Sequence, residues 1–191
     1  MTEHYVVFDW QHHGKPGKDD RGATYEGLEE TALSHGYIQA ACDALEVAGI
    51  PTLVLGYGWY SARHEYVREA AKAVNGKCVY VACHVNAGGG SYGLVCYDKR
   101  SGAGQRLSSA VSSELGKLVG KSRSEAASAS LWGNAYNTIK GIYEGPANLS
   151  GICFEPGFID SADNRHLWYA DGLVRVGEAL AAGIKSYLDQ P

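Results

Sequence analysis

The sequence predicts an α/β fold: a single domain with an open, mostly parallel or mixed central sheet flanked by helices on both faces. Two observations carry this. Short apolar runs rich in β-branched residues alternate along the chain with longer segments whose apolar residues recur at three-to-four spacing. The short runs are also continuously apolar rather than alternating, as expected of strands covered on both faces. A chain of 191 residues, 45% of them hydrophobic, can build one substantial core but not two ordinary domains. Residues 1–191 are therefore expected to form one domain, with no separate binding module.

The elements follow in order. Tyr5 to Asp9 (YVVFD) reads as the first strand. From Glu29 to Ala48, Leu33, Tyr37, Ala41, Ala44 and Ala48 mark one buried helical face, and Gly49 with Pro51 ends it. Pro51 to Tyr57 reads as a second strand and Ser61 to Val74 as a more charged helix. Cys78 to Asn86 and Gly93 to Asp98 are two further strands joined by the loop AGGGSYG, and Gln105 to Val119 is an amphipathic helix. Gly120 to Ser130, rich in Ser, Ala, Lys and Arg without apolar period, reads as a surface loop or frayed helix. Gly151 to Ile159 gives the last strand, and Asp171 to Leu188 a closing helix buried through Leu173, Val176, Leu180, Ile184 and Leu188.

Composition removes several classes of function. Seventeen basic residues against 21 acidic ones give a net charge of −4, and no basic run could track nucleic acid or anchor the chain to a membrane. No apolar run approaches bilayer length, and the strand pattern beginning at Tyr5 leaves no room for a signal peptide, so synthesis in the cytoplasm without an export signal is expected. Five widely spaced cysteines without a Cys-x-x-Cys pair read as buried thiols.

In open α/β sheets ligands collect beyond the carboxyl ends of the strands. Asp9, His12 and His13 follow the first strand, His84 lies near the end of the third, and Glu155 precedes Pro156-Gly157 in the last. Glu29 and Glu30 start the first helix, where the macrodipole favours an anion. Two histidines and one carboxylate suffice to hold a catalytic zinc with one open position. A carboxylate between Phe154 and Pro156, in an apolar run, is costly without a functional partner. By contrast, His4, His35, His64 and His166 read as packing residues, Gly88 to Gly90 as a turn rather than a phosphate cradle, and Trp59, Trp132 and Tyr136 as either buried aromatics or stackers on sugar rings.

The order Asp9-Trp10-Gln11-His12, Gly22-Ala23, Gly27-Leu28-Glu29-Glu30, Cys83-His84-Val85-Asn86 and Phe154-Glu155-Pro156-Gly157-Phe158 resembles the zinc-dependent N-acetylmuramoyl-L-alanine amidases, phage endolysins among them, over nearly the whole chain. The resemblance implies one Zn²⁺ per chain held by His12, Glu30 and His84. It further implies that Glu155 acts on the attacking water, that Asp9 fixes the tautomer of a ligating imidazole, and that peptidoglycan is the substrate. Gln11 and His13 stand where the family has glycines, so His13 is an alternative ligand to His12, and Glu29 or Glu26 to Glu30. The implied setting is the cell wall, reached as phage lysins reach it, through a membrane lesion made by another protein. A carboxypeptidase or deacylase using the same metal chemistry, or a non-catalytic wall-binding module, are the competing readings.

Overall fold

The computed structural model describes residues 4–190. Strand β1 (Tyr5–Trp10) occupies an interior position of a six-stranded sheet of order β4-β1-β5-β8-β6-β7, in which β4 is Thr52–Leu55, β5 Cys78–Cys83, β6 Gly93–Asp98, β7 Ser122–Ala127 and β8 Leu149–Glu155. Every neighbouring pair is parallel except β6 and β8, whose antiparallel register sets Cys96 opposite Cys153. The α/β fold with a mostly parallel sheet is thus as expected.

Side-chain alternation along the strands sorts the core into two layers. Val6, Phe8, Val79, Val81, Ile152 and Phe154 pack under helices α1 (Glu30–Val47), α3 (Gly102–Val119) and α5 (Ala170–Leu188). Val7, Tyr80, Ala82, Cys96 and Cys153 face α2 (Tyr60–Lys72) and α4 (Gly133–Ile139). All five cysteines are buried free thiols. Among the described residues no helix is long and apolar enough to cross a membrane.

Helix α1 ends as its sequence dictates. Gly49, at φ +74°, donates to Glu46 O at 2.9 Å while Ile50 donates to Leu45 O at 3.0 Å, the paired bonds of a left-handed glycine cap. Close helix packing relies on a second glycine. A Cβ on Gly183 of α5 would stand 2.5 Å from Val111 Cα of α3, a backbone atom that cannot swing aside. Gly183→Ala should therefore destabilise the fold by about 1–3 kcal/mol, a loss read from the urea midpoint. A midpoint within error of the parent would show that α5 can slide away at no cost.

Three features depart from the expectation. The stretch expected to be a loop or frayed helix contains β7, an edge strand parallel to β6. Its period is carried by hydroxyls instead of apolar groups: Ser122 and Ser124 meet Ser112 and Ser108 of α3 at 2.9 and 2.7 Å, while Arg123 lies over the Tyr92 ring. Helix α4 has only seven residues, too few to show a helical period. The third is a hairpin of β2 (Thr24–Tyr25) and β3 (Leu28–Glu29), turned by Glu26 and Gly27, both at positive φ.

Candidate metal and catalytic site

The ends of β1, β5 and β8, three adjacent parallel strands, present their loops on one edge of the sheet, and the hairpin feeds the start of α1 onto the same edge. Glu30 N donates to Ala23 O at 2.9 Å, so the hairpin's close seats the first residue of α1. The Glu30 carboxylate, only 4% exposed, accepts from Ala23 N at 2.7 Å through Oε2 and from Val85 N at 3.0 Å through Oε1. Gly22 makes this possible: a Cβ there would fall 2.4 Å from Glu30 Oε2, and its φ is +69°.

Histidine donors converge on this carboxylate. His84 Nδ1 lies 2.9 Å from Glu30 Oε1 and His12 Nε2 3.5 Å from it. Donor atoms of His12, Glu30 and His84 lie within 4.8 Å of one another, the one such group of three among the described residues. His84 is fixed from behind: its backbone N–H donates to Phe154 O at 3.0 Å, and Tyr37 Oη donates to its carbonyl at 2.9 Å.

Burial disfavours charge on both partners, yet their contact prevails. The His84 imidazole is desolvated, but the hydrogen bond and charge of Glu30 raise its pKa overall. Glu30 is likewise desolvated, but His84 and then His12 hold its pKa below the usual carboxylate value. Glu155, at the end of β8, moves the other way: burial pushes its pKa up, opposed by His84 and by the Asn86 amide and assisted by the charge of Glu30.

The alternative residues lie elsewhere. His12 sits at φ +65°, which turns the chain so that His13 leaves in another direction and stacks on Trp10, centroids 3.6 Å apart and planes 9° from parallel. Glu29 pairs with Arg21 at 2.9 Å, and Glu26 with Arg165. Neither acid nor His13 joins the cluster.

Asp9 requires a correction. Its carboxylate does not touch an imidazole. It is fully buried in the layer between the sheet and helices α2 and α4, where it accepts from Arg63 Nη1 and Tyr80 Oη. The tautomer-fixing contact belongs to Asp20, whose Oδ1 accepts from His12 Nδ1 at 2.9 Å and leaves Nε2 turned toward Glu30. Asp20 is itself held by Lys15 Nζ at 2.6 Å and Gly22 N at 3.1 Å, and against its partial burial these contacts keep its pKa far below the usual value. In the polar run Lys18-Asp19-Asp20-Arg21 no pattern distinguishes this aspartate.

The turn of Gly88 and Gly89 does present two N–H groups to an anion, but the Asp160 carboxylate takes both, at 2.9–3.2 Å. Of the three aromatics in question, Trp59 is 47% exposed, while Trp132 and Tyr136 pack partly buried against the α4 layer.

The α/β domain thus brings a His-Glu-His cluster and a partly buried acid to one edge of its sheet. No protein-family model and no curated protein matches the sequence. Solved structures do match. An N-acetylmuramoyl-L-alanine amidase from Clostridium difficile 630 superposes with a TM-score of 0.78 at 17% identity, covering 100% of this chain and 99% of its own. Cwp6 from Clostridium difficile gives 0.72 at 19% identity over 98% of this chain, which spans 30% of Cwp6. The catalytic domain of the CD27L endolysin, targeting the same species, gives 0.64 at 13% identity and covers 96% of this chain and 97% of its own. The fold implied by the resemblance drawn from the sequence is thus borne out: this chain shares the fold of solved N-acetylmuramoyl-L-alanine amidases.

Proposed function

We propose that the chain is a zinc-dependent N-acetylmuramoyl-L-alanine amidase, a single catalytic domain that cleaves the bond joining the lactyl group of N-acetylmuramic acid to L-alanine in the cell wall. The observation that carries this is the convergence of His12, Glu30 and His84 beside the partly buried Glu155, on a fold shared with such amidases. The donor set fits the metal. It comprises two imidazoles and an ionised carboxylate, and His84 Nε2 is buried without a hydrogen-bond partner.

Zinc would supply Lewis acidity here, lowering the pKa of water and polarising the scissile carbonyl. The chain's own residues do the rest. Asp20 holds the proton on His12 Nδ1, keeping Nε2 free as a donor. Glu155, with its pKa raised by burial, is poised to take the proton of the attacking water and return it to the departing alanine nitrogen. Tyr60, Asn134, Asn137 and Thr138 line the cleft opposite and can orient the substrate amide.

The deciding experiment is digestion of purified peptidoglycan with analysis of the new ends. Free L-alanine amines are expected; new reducing sugar ends, or amines of any other residue, would overturn the assignment. Metal content tests the site directly. His84→Ala and His12→Ala should lose zinc together with activity, whereas His13→Ala retains both. Zinc competes with the His84 proton, whose pKa is raised, so zinc affinity should climb with pH through the histidine range and fall in acid. In the metal-free protein the linkage has two limbs. The Glu30 contribution to stability is lost as pH falls through its lowered pKa, and the His84 contribution as pH rises through its raised one. Zinc affinity that is flat across this range would remove His84 from the ligand set.

A further inference from the structure

Glu155 stands where the ladder between β5 and β8 slips. Cys83 pairs with Phe154, but the next bridge sets Asn86 opposite Phe158, so three positions on one strand answer four on the other. The surplus residue lies within Glu155-Pro156-Gly157, where Pro156 has no N–H to give to a rung. An insertion of this kind bends the chain and re-aims the side chains it carries. Beyond the slip the two segments rejoin at Asn86, whose N–H donates to Gly157 O at 2.9 Å and whose carbonyl accepts from Ile159 N at 2.8 Å. Two further contacts fasten them. The Asp160 carboxylate accepts from Gly88 N and Gly89 N, and Gly90 lies so close against the Phe158 ring that a Cβ there would collide with it.

This frame holds one amide beside the base. Asn86 and Glu155 line the same cleft as His12, Glu30 and His84. An asparagine amide can face either way, and here its two neighbours settle which. Ala87 N–H donates to Asn86 Oδ1 at 2.8 Å, so the oxygen is occupied and the NH₂ is left to the Glu155 carboxylate, which when ionised can only accept. Glu155 belongs to no ion pair among the described residues. The Asn86 amide is therefore a neutral donor that favours the ionised form of Glu155 against burial and against the charge of Glu30.

We propose that Asn86 is the positioning residue of the base: fixed by the Ala87 N–H and by its backbone bonds to Gly157 and Ile159, its amide donates to the Glu155 carboxylate and holds it toward the cleft. The inference rests on the amidase reading. It is tested in the zinc-loaded protein with a soluble muropeptide, comparing Asn86→Asp and Asn86→Leu with the parent. Aspartate keeps the volume and still accepts from Ala87 N–H, but has no donor to offer; leucine loses both bonds. Asn86→Asp should lower kcat by about 10- to 100-fold, the usual loss for a hydrogen bond to a charged group, with KM, zinc content and urea midpoint near parent values. The fall of its rate in acid should also move to higher pH by about one unit, because a second carboxylate joins Glu30 in opposing ionisation of Glu155, with His84 acting the other way. Asn86→Leu should lose rate and midpoint together. If Asn86 only closes the turn through Ala87, then Asn86→Asp keeps the parent kcat and pH profile, and the proposal is overturned while the amidase reading stands. Loss of zinc from Asn86→Asp would overturn it equally, by tying the residue to the metal site rather than to the base. Failure of the parent to release an alanine amine would overturn both readings.

Discussion

Glu155→Gln is expected to reduce hydrolysis by about 10² to 10⁴-fold, toward the upper end, while zinc content and the urea midpoint stay at parent values. The reason lies in where the residue stands. Glu155 closes β8, opposite Leu94 across the antiparallel seam, in a position whose apolar surroundings raise its pKa. Its charge is lightly held: the Asn86 amide hydrogen-bonds the carboxylate, Cys153 Sγ lies 4.0 Å from Oε1, and it belongs to no ion pair among the described residues. Glutamine preserves the volume and can still hydrogen bond, but it cannot accept a proton from water. The contrast with Glu30→Gln sharpens the test, since Glu30 is held among two imidazoles and two backbone N–H groups and should lower zinc affinity as well as rate. If Glu155→Gln emptied the protein of zinc while Glu30→Gln left it loaded, the two roles would be exchanged. A Glu155→Gln rate within a factor of about ten of the parent would remove Glu155 from proton transfer altogether.

The second large effect concerns stability. Asp9 is fully buried and Arg63 2% exposed, and their ion pair is completed by Tyr80 Oη on the carboxylate and by the carbonyls of Trp10, His13 and Gly58 on the guanidinium. Removing one member strands the other's charge in a dry interior, which typically costs about 3–5 kcal/mol. Asp9→Ala should therefore lower the unfolding free energy by that amount, measured by urea titration. Arg63→Met should match it and also weaken zinc binding, because Arg63 ties down the loop that carries His12. Replacing Asp9 and Arg63 together by apolar residues should recover part of the loss. A single substitution costing under about 1 kcal/mol would mean that water reaches the pair.

Much of this was legible in the residues. The interior strands and the long helices announce themselves because burial on both faces and on one face leaves unmistakable periods, and Gly49 marks the end of α1 by a left-handed φ that few other residues tolerate. The elements that escaped are those whose stabilisation is not apolar: β7 rests on serine pairs with α3, the hairpin on two positive-φ residues, and α4 on a few contacts within seven residues. In the site, the order of the motifs brought His12, Glu30, His84 and Glu155 to one edge, but a linear reading could not separate His12 from His13. Only the φ of +65° at His12 does that, by sending the neighbouring ring onto Trp10. Asp9 misled for a related reason. It belongs to the strand rather than the loop, and its carboxylate is taken by Arg63 and Tyr80, leaving Asp20, eight residues beyond His12 in a loop without pattern, to hold the imidazole.

The position of the chemistry within the sheet also governs how the molecule fails on heating. Two of the proposed ligands and the base hang from β1, β5 and β8, and the third ligand, Glu30, opens α1, whereas the outermost strands, β4 and β7, contribute none of them. Fraying of a sheet begins at its margins, where amides lack a neighbour on one side, and its centre opens only with the whole. Amide exchange should accordingly be fastest in β4 and β7 and slowest in β5. Loss of bound metal should coincide with the cooperative melting transition rather than precede it, so that heat inactivation of this protein follows its global unfolding.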